Sequence, residues 1–556
     1  MLLKKLPLTL AIALAGLIAY LLLPSSDYNL DGFRVFASLH QVKIDSTGSR
    51  TYVPLDWQTG YQKPYYQRQN VQKHLLFPVY AFFAYRLARS LGYKGSGLKP
   101  LQVANAVCAA VTLGLFALLL SLGMEDIWSV IFLTIGLALS NAFGSMATNI
   151  GEVVFALPLL IIGLILIIKG KPLLAGLALG ISAACYLASI VIALTVVIGF
   201  IIRHQIKNAF TLFITSLTTV SGCYLGLLFC AGYNSFPQLL NTLILLPEQG
   251  TFGGFKPANL ISVFIGFANS ILPLLPQDFS GLRAVVTSGG ARLIPAVIIA
   301  LSAMALGLCC LLFNLRLFRR RDEIPLGLLV FLGALFTSLL WDPYHLKIWV
   351  YSNIGLWLML SEARLISLWL VPKALPWPKP VINQRVNPFL QTRFVPLAFL
   401  FFLLTPVVLI NIRHLFSLTG FNPRWQAAAE ISRIVAQPSG IENKNLIFGA
   451  WEPEFGYLTL FLPERNLICL PDLILENNID PRAVETQIED AITGCRNQGG
   501  LVYFVNLFNR SEEQLRLFYS VRLHFPHLLI WVQTHRPLVL IVWQDEKMAI
   551  ALFRLK

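Results

Sequence analysis

The residues best placed to do chemistry gather where apolar stretches give way to polar ones. Directly after the first apolar run comes Ser26-Asp27-Tyr28-Asn29-Leu30-Asp31-Gly32-Phe33-Arg34, where an ionised carboxylate can take the proton of an attacking hydroxyl. Such general-base help contributes about 10²- to 10⁴-fold when the two groups meet at hydrogen-bond distance. A second group is Asn70-Val71-Gln72-Lys73-His74-Leu75-Leu76-Phe77-Pro78, followed by Leu101-Gln102-Val103-Ala104-Asn105; His74 in it can contact a phosphate or an acceptor. The third, Trp341-Asp342-Pro343-Tyr344-His345-Leu346-Lys347-Ile348-Trp349, sets Asp342, His345 and Lys347 between two apolar segments, a border where charge commonly serves function. Lys347, with His345 beside it, is the cation suited to stabilising a departing anion. Glu152, after Asn149-Ile150-Gly151, can bind hydroxyls or support the base.

Each of these residues also has a plainer role. Asp31 and Asp27 serve as well as a helix cap or solvated loop acids. Glu152 suits the first turn of a helix, where a carboxylate meets the positive end of the dipole. His74 can be an interfacial hydrogen-bonding residue. Lys347 can snorkel to headgroups with Trp341 and Trp349 as interface anchors, and Asp342 can simply pair with Lys347.

The elements that must hold these groups are largely apolar. The 556 residues are 56% hydrophobic and 13% charged, with mean hydropathy +0.67, against roughly 45–50% apolar residues in soluble domains. The apolar residues fall in blocks of about 16 to 24, the helix length that crosses a hydrocarbon layer about 30 Å thick. A net charge of +15 would suggest nucleic acid in a soluble chain, but the basic residues cluster between apolar blocks, as at Arg316, Arg319, Arg320 and Arg321, and orient spans instead. Cys108, Cys185, Cys223, Cys230, Cys309 and Cys310 lie within apolar blocks and read as packing residues. Cys469 and Cys495 lie beyond them, as two thiols or as a disulfide in an oxidising compartment.

Residues 1–24 carry Lys4 and Lys5 before a long apolar run and have no small-x-small cleavage site, so they read as an anchor. Further apolar segments fall at 75–91, 100–122, 127–142, 153–168, 172–187, 188–202, 208–231, 292–314, 324–340, 346–362 and 394–411. Segment 75–91, with Arg86 and Arg89, reads as interfacial. At about 1.5 Å per residue the block 172–202 is too long for one comfortable crossing and reads as two. All the basic clusters then share one side, which gives about eleven spans. The first loop 25–99, with interfacial helices, the turn near 143–152, the loop 232–291 and the turn from Trp341 to Lys347 share the other. The alternative topology, with both ambiguous segments reversed, moves Lys169 and Lys171 across the membrane. The Pro-rich stretch from Pro372 to Pro388 reads as a connector without chemistry of its own.

The multi-spanning part thus covers 1–415, and composition changes near 420. Runs at 445–448, 467–470, 501–505 and 538–543 read as short strands, with helical patterns at 424–436, 480–494 and 511–523 between them. That alternation predicts a small α/β domain over 420–556 with a partly parallel sheet. It holds no GxGxxG, P-loop or HExxH motif; Gly449-Ala450-Trp451-Glu452-Pro453-Glu454-Phe455-Gly456-Tyr457 can face an acceptor or be an ordinary strand-to-helix loop.

One short helix, a long acidic first loop, many spans and a C-terminal soluble domain together resemble the GT-C glycosyltransferases over residues 1 to 411. The resemblance implies a GT-C-like α-helical polytopic membrane protein with a small C-terminal extracytoplasmic α/β domain. Its implied activity moves a sugar from a polyprenyl-phosphate-linked donor to an envelope lipid, glycan or protein acceptor. It also implies a multi-pass location in a plasma or inner membrane, with membrane lipid and the lipid-linked donor as partners and no nucleic acid. The family's catalytic acid in the first loop matches Asp31, with Asp27 second. The chain lacks a compact Asp-x-Asp or Phe-Asp-Glu signature there, so no cofactor or resident metal is expected. Two other classes share the layout: a lipid or glycan transporter or flippase, and a non-catalytic envelope assembly protein.

Overall fold

The computed structural model describes residues 2–25, 39–44, 50–55, 76–124, 126–230, 257–273, 308, 311–312, 314, 325–340, 346–362, 405, 408–419, 423–435, 444–450, 453–458, 461–462, 467–476, 480–508, 512–515, 527–535, 538–545 and 548–555. The bundle begins with α1 (Leu2–Leu22), a hairpin β1 (His40–Ile44) and β2 (Arg50–Pro54), α2 (Leu76–Ser90), α3 (Leu98–Gly123), α4 (Ile127–Ala138), α5 (Asn141–Thr148) and α6 (Glu152–Ile168). It continues with α7 (Pro172–Cys185), α8 (Ser189–Ile202), α9 (Ile206–Cys230), α10 (Pro257–Ile271), α11 (Leu326–Leu340), α12 (Leu346–Glu362) and α13 (Val408–Leu418).

Among the described residues, three helices, Lys5–Leu22 of α1, α3 and Ile206–Leu227 of α9, are long and apolar enough to cross a membrane, and α4 with α5 makes a fourth if that bent pair is one span. Integral membrane character follows from them: α1 turns Leu6, Leu10 and Leu14 outward, a surface only lipid stabilises. The segment expected as one span at 127–142 is instead broken, with α4 and α5 meeting at 66°. Asp126 caps α4, accepting from the backbone N–H groups of Trp128 and Ser129, which satisfies donors that a helix start leaves open.

Glycine contacts fix the helix directions. Gly16 of α1 lies against Leu113 and Gly114 of α3 against Thr9 and Ala13, so α1 and α3 run antiparallel. Lys5 accordingly donates to the Ser121 carbonyl at the far end of α3. Gly176 and Gly180 of α7 lie against Thr215 and Thr219 of α9, an advance in the same sense, so α7 and α9 are parallel. Because α8 turns back into α9 through only Arg203, His204 and Gln205, α7 and α8 run in opposite directions. The block 172–202 therefore reverses near Tyr186–Ala188, as its length predicts, into two helices of 14 residues each. Each is about 21 Å long, and Lys5, Lys169, Lys171, Arg203 and Lys207 all fall at one end of the bundle.

Helix α10 ends inside the bundle. Phe267 packs on Trp349 and Ser270 bonds Asn353, so it runs parallel to α12. Its last carbonyls would lack donors in an apolar interior. Three asparagine amides supply them: Asn141 donates to Asn269 O at 2.6 Å, Asn353 to Ser270 O at 3.0 Å and Asn411 to Ile271 O at 2.8 Å.

The C-terminal part comprises α14 (Pro423–Val435), β3 (Leu446–Gly449), α15 (Pro453–Leu458), β4 (Leu467–Cys469), α16 (Leu470–Glu476), α17 (Pro481–Asn497), β5 (Val502–Val505), α18 (Glu512–Leu515), α19 (His527–Thr534), β6 (Leu538–Asp545) and β7 (Met548–Arg554). The sheet order is β4-β3-β5-β7-β6, with β4, β3 and β5 parallel and the last two strands antiparallel. Strands β3, β4 and β5 are buried throughout, as parallel strands covered on both faces must be. On one face α17 lays Val484, Ile488 and Ile492 at helical spacing. On the other, Ile447 and Tyr503 share a cluster with α14, α15, Phe77, Ala81 and Tyr85 of α2, and Ile150, which seats the sheet on the end of the bundle opposite the basic residues. Cys469 and Cys495 belong to opposite faces and form no disulfide.

Candidate functional site

Four elements meet at the sheet-covered end of the bundle. Ser25, just past α1, donates its backbone N–H to Thr148 O at 3.0 Å. One turn apart near the start of α3, Gln102 reaches Ser25 and the end of α5 at Thr148, and Asn105 reaches the turn between α5 and α6. That turn ends on Gly151 in extended backbone, and Glu152 follows as the first residue of α6. Lys347 enters from the first turn of α12.

Lys347 donates from Nζ to Glu152 Oε1 at 2.6 Å, with side-chain exposures of 1% and 2%. Both charges are withdrawn from solvent, a placement that pairing makes tolerable. Glu152 faces the favourable end of its own helix dipole, while Lys347 sits at the unfavourable end of α12. That dipole term is about 0.3–1 kcal/mol, and breaking a buried pair costs about 3–5 kcal/mol, so the contact between the side chains prevails. Lys347 is therefore buried inside the bundle and does not snorkel.

One turn further in, Tyr351 of α12 shares a hydrogen bond of 2.8 Å with Ser189, and Ser182 Oγ lies 3.1 Å from Ser189 Oγ and 2.9 Å from Ala156 O, the carbonyl accepting its hydrogen bond. Tyr186 stacks on Tyr351 with ring planes 4° apart. These hydroxyls tie α6, α7, α8 and α12 together beneath the ion pair.

Of the residues singled out from the sequence, Glu152 and Lys347 are brought together. Asp27, Asp31, His74, Asp342 and His345 lie outside the described residues. Gln102 and Asn105 belong to the second polar group without a role readable from sequence, and Tyr351, Ser182 and Ser189 are isolated hydroxyls within apolar segments. Two amides at i and i+3 in the first turns of an apolar helix were the available signal.

The fold and the buried pair define an integral membrane protein with charge enclosed at one end of its helical bundle. No family model and no curated protein matches the chain. Among solved structures it is similar to ArnT from Cupriavidus metallidurans bound to undecaprenyl phosphate, at 13% identity and a TM-score of 0.49, over 99% of this chain and 98% of that one.

Proposed function

We propose that the chain is a membrane glycosyltransferase that moves a sugar from a polyprenyl-phosphate-linked donor to an envelope lipid, glycan or protein acceptor on the extracytoplasmic face. The observation carrying this reading is the Glu152–Lys347 pair, buried at the end of the bundle from which the acidic first loop departs. Asp27 and Asp31 follow Ser25 by two and six positions, a tether of at most about 7 and 22 Å.

The chemistry needs a base more than an acid. An acceptor hydroxyl attacks the anomeric carbon, the bond from that carbon to the phosphate oxygen breaks, and the hydroxyl proton passes to a carboxylate. Asp31 is the first candidate for that carboxylate and Asp27 the second. The departing lipid phosphate gains negative charge, which a preplaced cation stabilises. Lys347 supplies the cation, Glu152 holds its ammonium in place, and His345, His74 and Asp342 are candidate substrate contacts.

Native mass spectrometry of gently extracted wild type and Asp31→Asn, incubated with a panel of polyprenyl-phosphate sugars, tests the reading. Both proteins should bind donor, and release of lipid phosphate should fall about 10²- to 10⁴-fold in the variant. Full turnover by Asp31→Asn would move the base to Asp27; no donor bound by wild type would remove the reading.

A flippase or transporter is the second reading, favoured by the 66° break between α4 and α5 and by the interior end of α10. Interrupted helices near the membrane centre are typical of transport sites, where exposed carbonyls hold ions. Here the carbonyls of Asn269, Ser270 and Ile271 are already occupied by asparagine amides. In proteoliposomes, movement of an intact lipid-linked glycan without loss of its sugar would favour transport.

A further inference from the structure

We propose that Gln102 and Asn105 form an amide clamp, two positioning residues on α3 that fix the start of the acidic first loop and Glu152 relative to each other. The inference rests on the reading above, in which a first-loop acid, Glu152 and Lys347 share one site.

Four backbone carbonyls converge on these two side chains. Gln102 donates from Nε2 to Ser25 O at 2.9 Å and Thr148 O at 3.4 Å. Asn105 donates from Nδ2 to Asn149 O at 3.2 Å and Gly151 O at 3.1 Å. Ser25 is the last described residue before Asp27 and Asp31, and Gly151 immediately precedes Glu152. The carbonyl of Asn149 lies in a buried turn between two helices, and that of Gly151, at the N-cap of α6, keeps a lone pair beyond the first bond of its helix.

The amide orientation of Asn105 follows from these contacts, since a flipped amide would set its oxygen against two carbonyls. Its Oδ1 is buried and finds no hydrogen-bond donor among the described residues. That orphan acceptor is a cost, offset by the two carbonyls that the N–H groups satisfy, and those two bonds set where Glu152 begins. Ile150, between the two clamped carbonyls, packs into the cluster shared with the C-terminal sheet, so the turn is held from both sides.

Asn105→Asp in the full chain keeps the shape and removes both donors. Sugar release should fall about 100-fold, the effect of roughly 1 Å of misplacement at a reacting centre, with KM for the donor nearly unchanged. The deficit relative to wild type at the same pH should shrink as pH falls, because the new carboxyl, once protonated, donates to one of the two carbonyls again. Protonation would relieve a merely structural defect too, so the unchanged KM, and not the pH response, separates positioning from loss of fold. A readout independent of turnover is the rate at which Ser25→Cys and Thr148→Cys cross-link, mapped by mass spectrometry. Adding Gln102→Leu, which removes the donors to both Ser25 O and Thr148 O, should slow it about tenfold. Wild-type turnover by Asn105→Asp at every pH, or cross-linking indifferent to Gln102→Leu, overturns the clamp. Slowed cross-linking in a protein whose wild type transfers no sugar leaves the clamp standing and removes the glycosyltransferase reading.

Discussion

Lys347→Met is expected to abolish turnover and to destabilise the protein by about 3–5 kcal/mol, because it removes the ammonium that Glu152 faces at 2.6 Å inside the bundle. Glu152→Gln should behave alike in direction, stranding the lysine at the positive end of the α12 dipole. The double variant separates the two effects. With both charges gone the desolvation penalty goes too, and replacing a buried pair with groups of similar volume is often neutral for stability. Glu152→Gln with Lys347→Met should therefore regain most of the lost denaturation midpoint in detergent and none of the activity. Full activity in the double variant would show the pair to be scaffolding, and single variants as stable as wild type would show that neither charge depends on the other.

The pair also marks where sequence reasoning stops. Glu152 and Lys347 were each legible as charges bordering apolar segments, but nothing in a single sequence couples positions 195 apart. The reversal within 172–202 was legible from length. The break between α4 and α5 was not, because Ser140 and Asn141 are a slight interruption in an apolar run and only packing turns them into a 66° bend. Asn141, Asn353 and Asn411 are isolated polar residues without periodicity; their common role appears once α10 ends among them.

In the C-terminal part, β3, β4 and β5 were legible as short apolar runs because buried parallel strands need no alternation. Strand β7 was not, since Met548–Arg554 is a terminal run closed by a charge, and its pairing with β5 is decided by the sheet. The hairpin β1–β2 was also missed, in a loop whose tyrosines and acids suggested only polarity. Its inward residues, His40 and Val42, are buried, and His40 lies against the ring of Tyr85 in α2.

Gly355→Leu should lose both stability and activity, because α11 and α12 approach through reciprocal glycines. A Cβ at Gly355 would stand 2.5 Å from Phe331 N and 2.8 Å from its Cα, and one at Gly327 would stand 2.5 Å from Met359 N. Backbone atoms of a packed helix cannot step aside as a flexible side chain can. Gly355→Ala alone should cost about 1–3 kcal/mol by overpacking, and the leucine more. The displaced helix carries Lys347, Tyr351 and Asn353, so a shift near 1 Å should reduce turnover about 10²-fold. Gly222 and Gly226 of α9 provide the control, because a Cβ at either meets nothing within 4 Å. There Gly→Ala should be neutral or stabilising by about 0.5–1 kcal/mol, the ordinary gain of alanine over glycine in a helix. Equal effects at the four sites would mean that glycine contributes only backbone freedom, and that close approach does not set the position of α12.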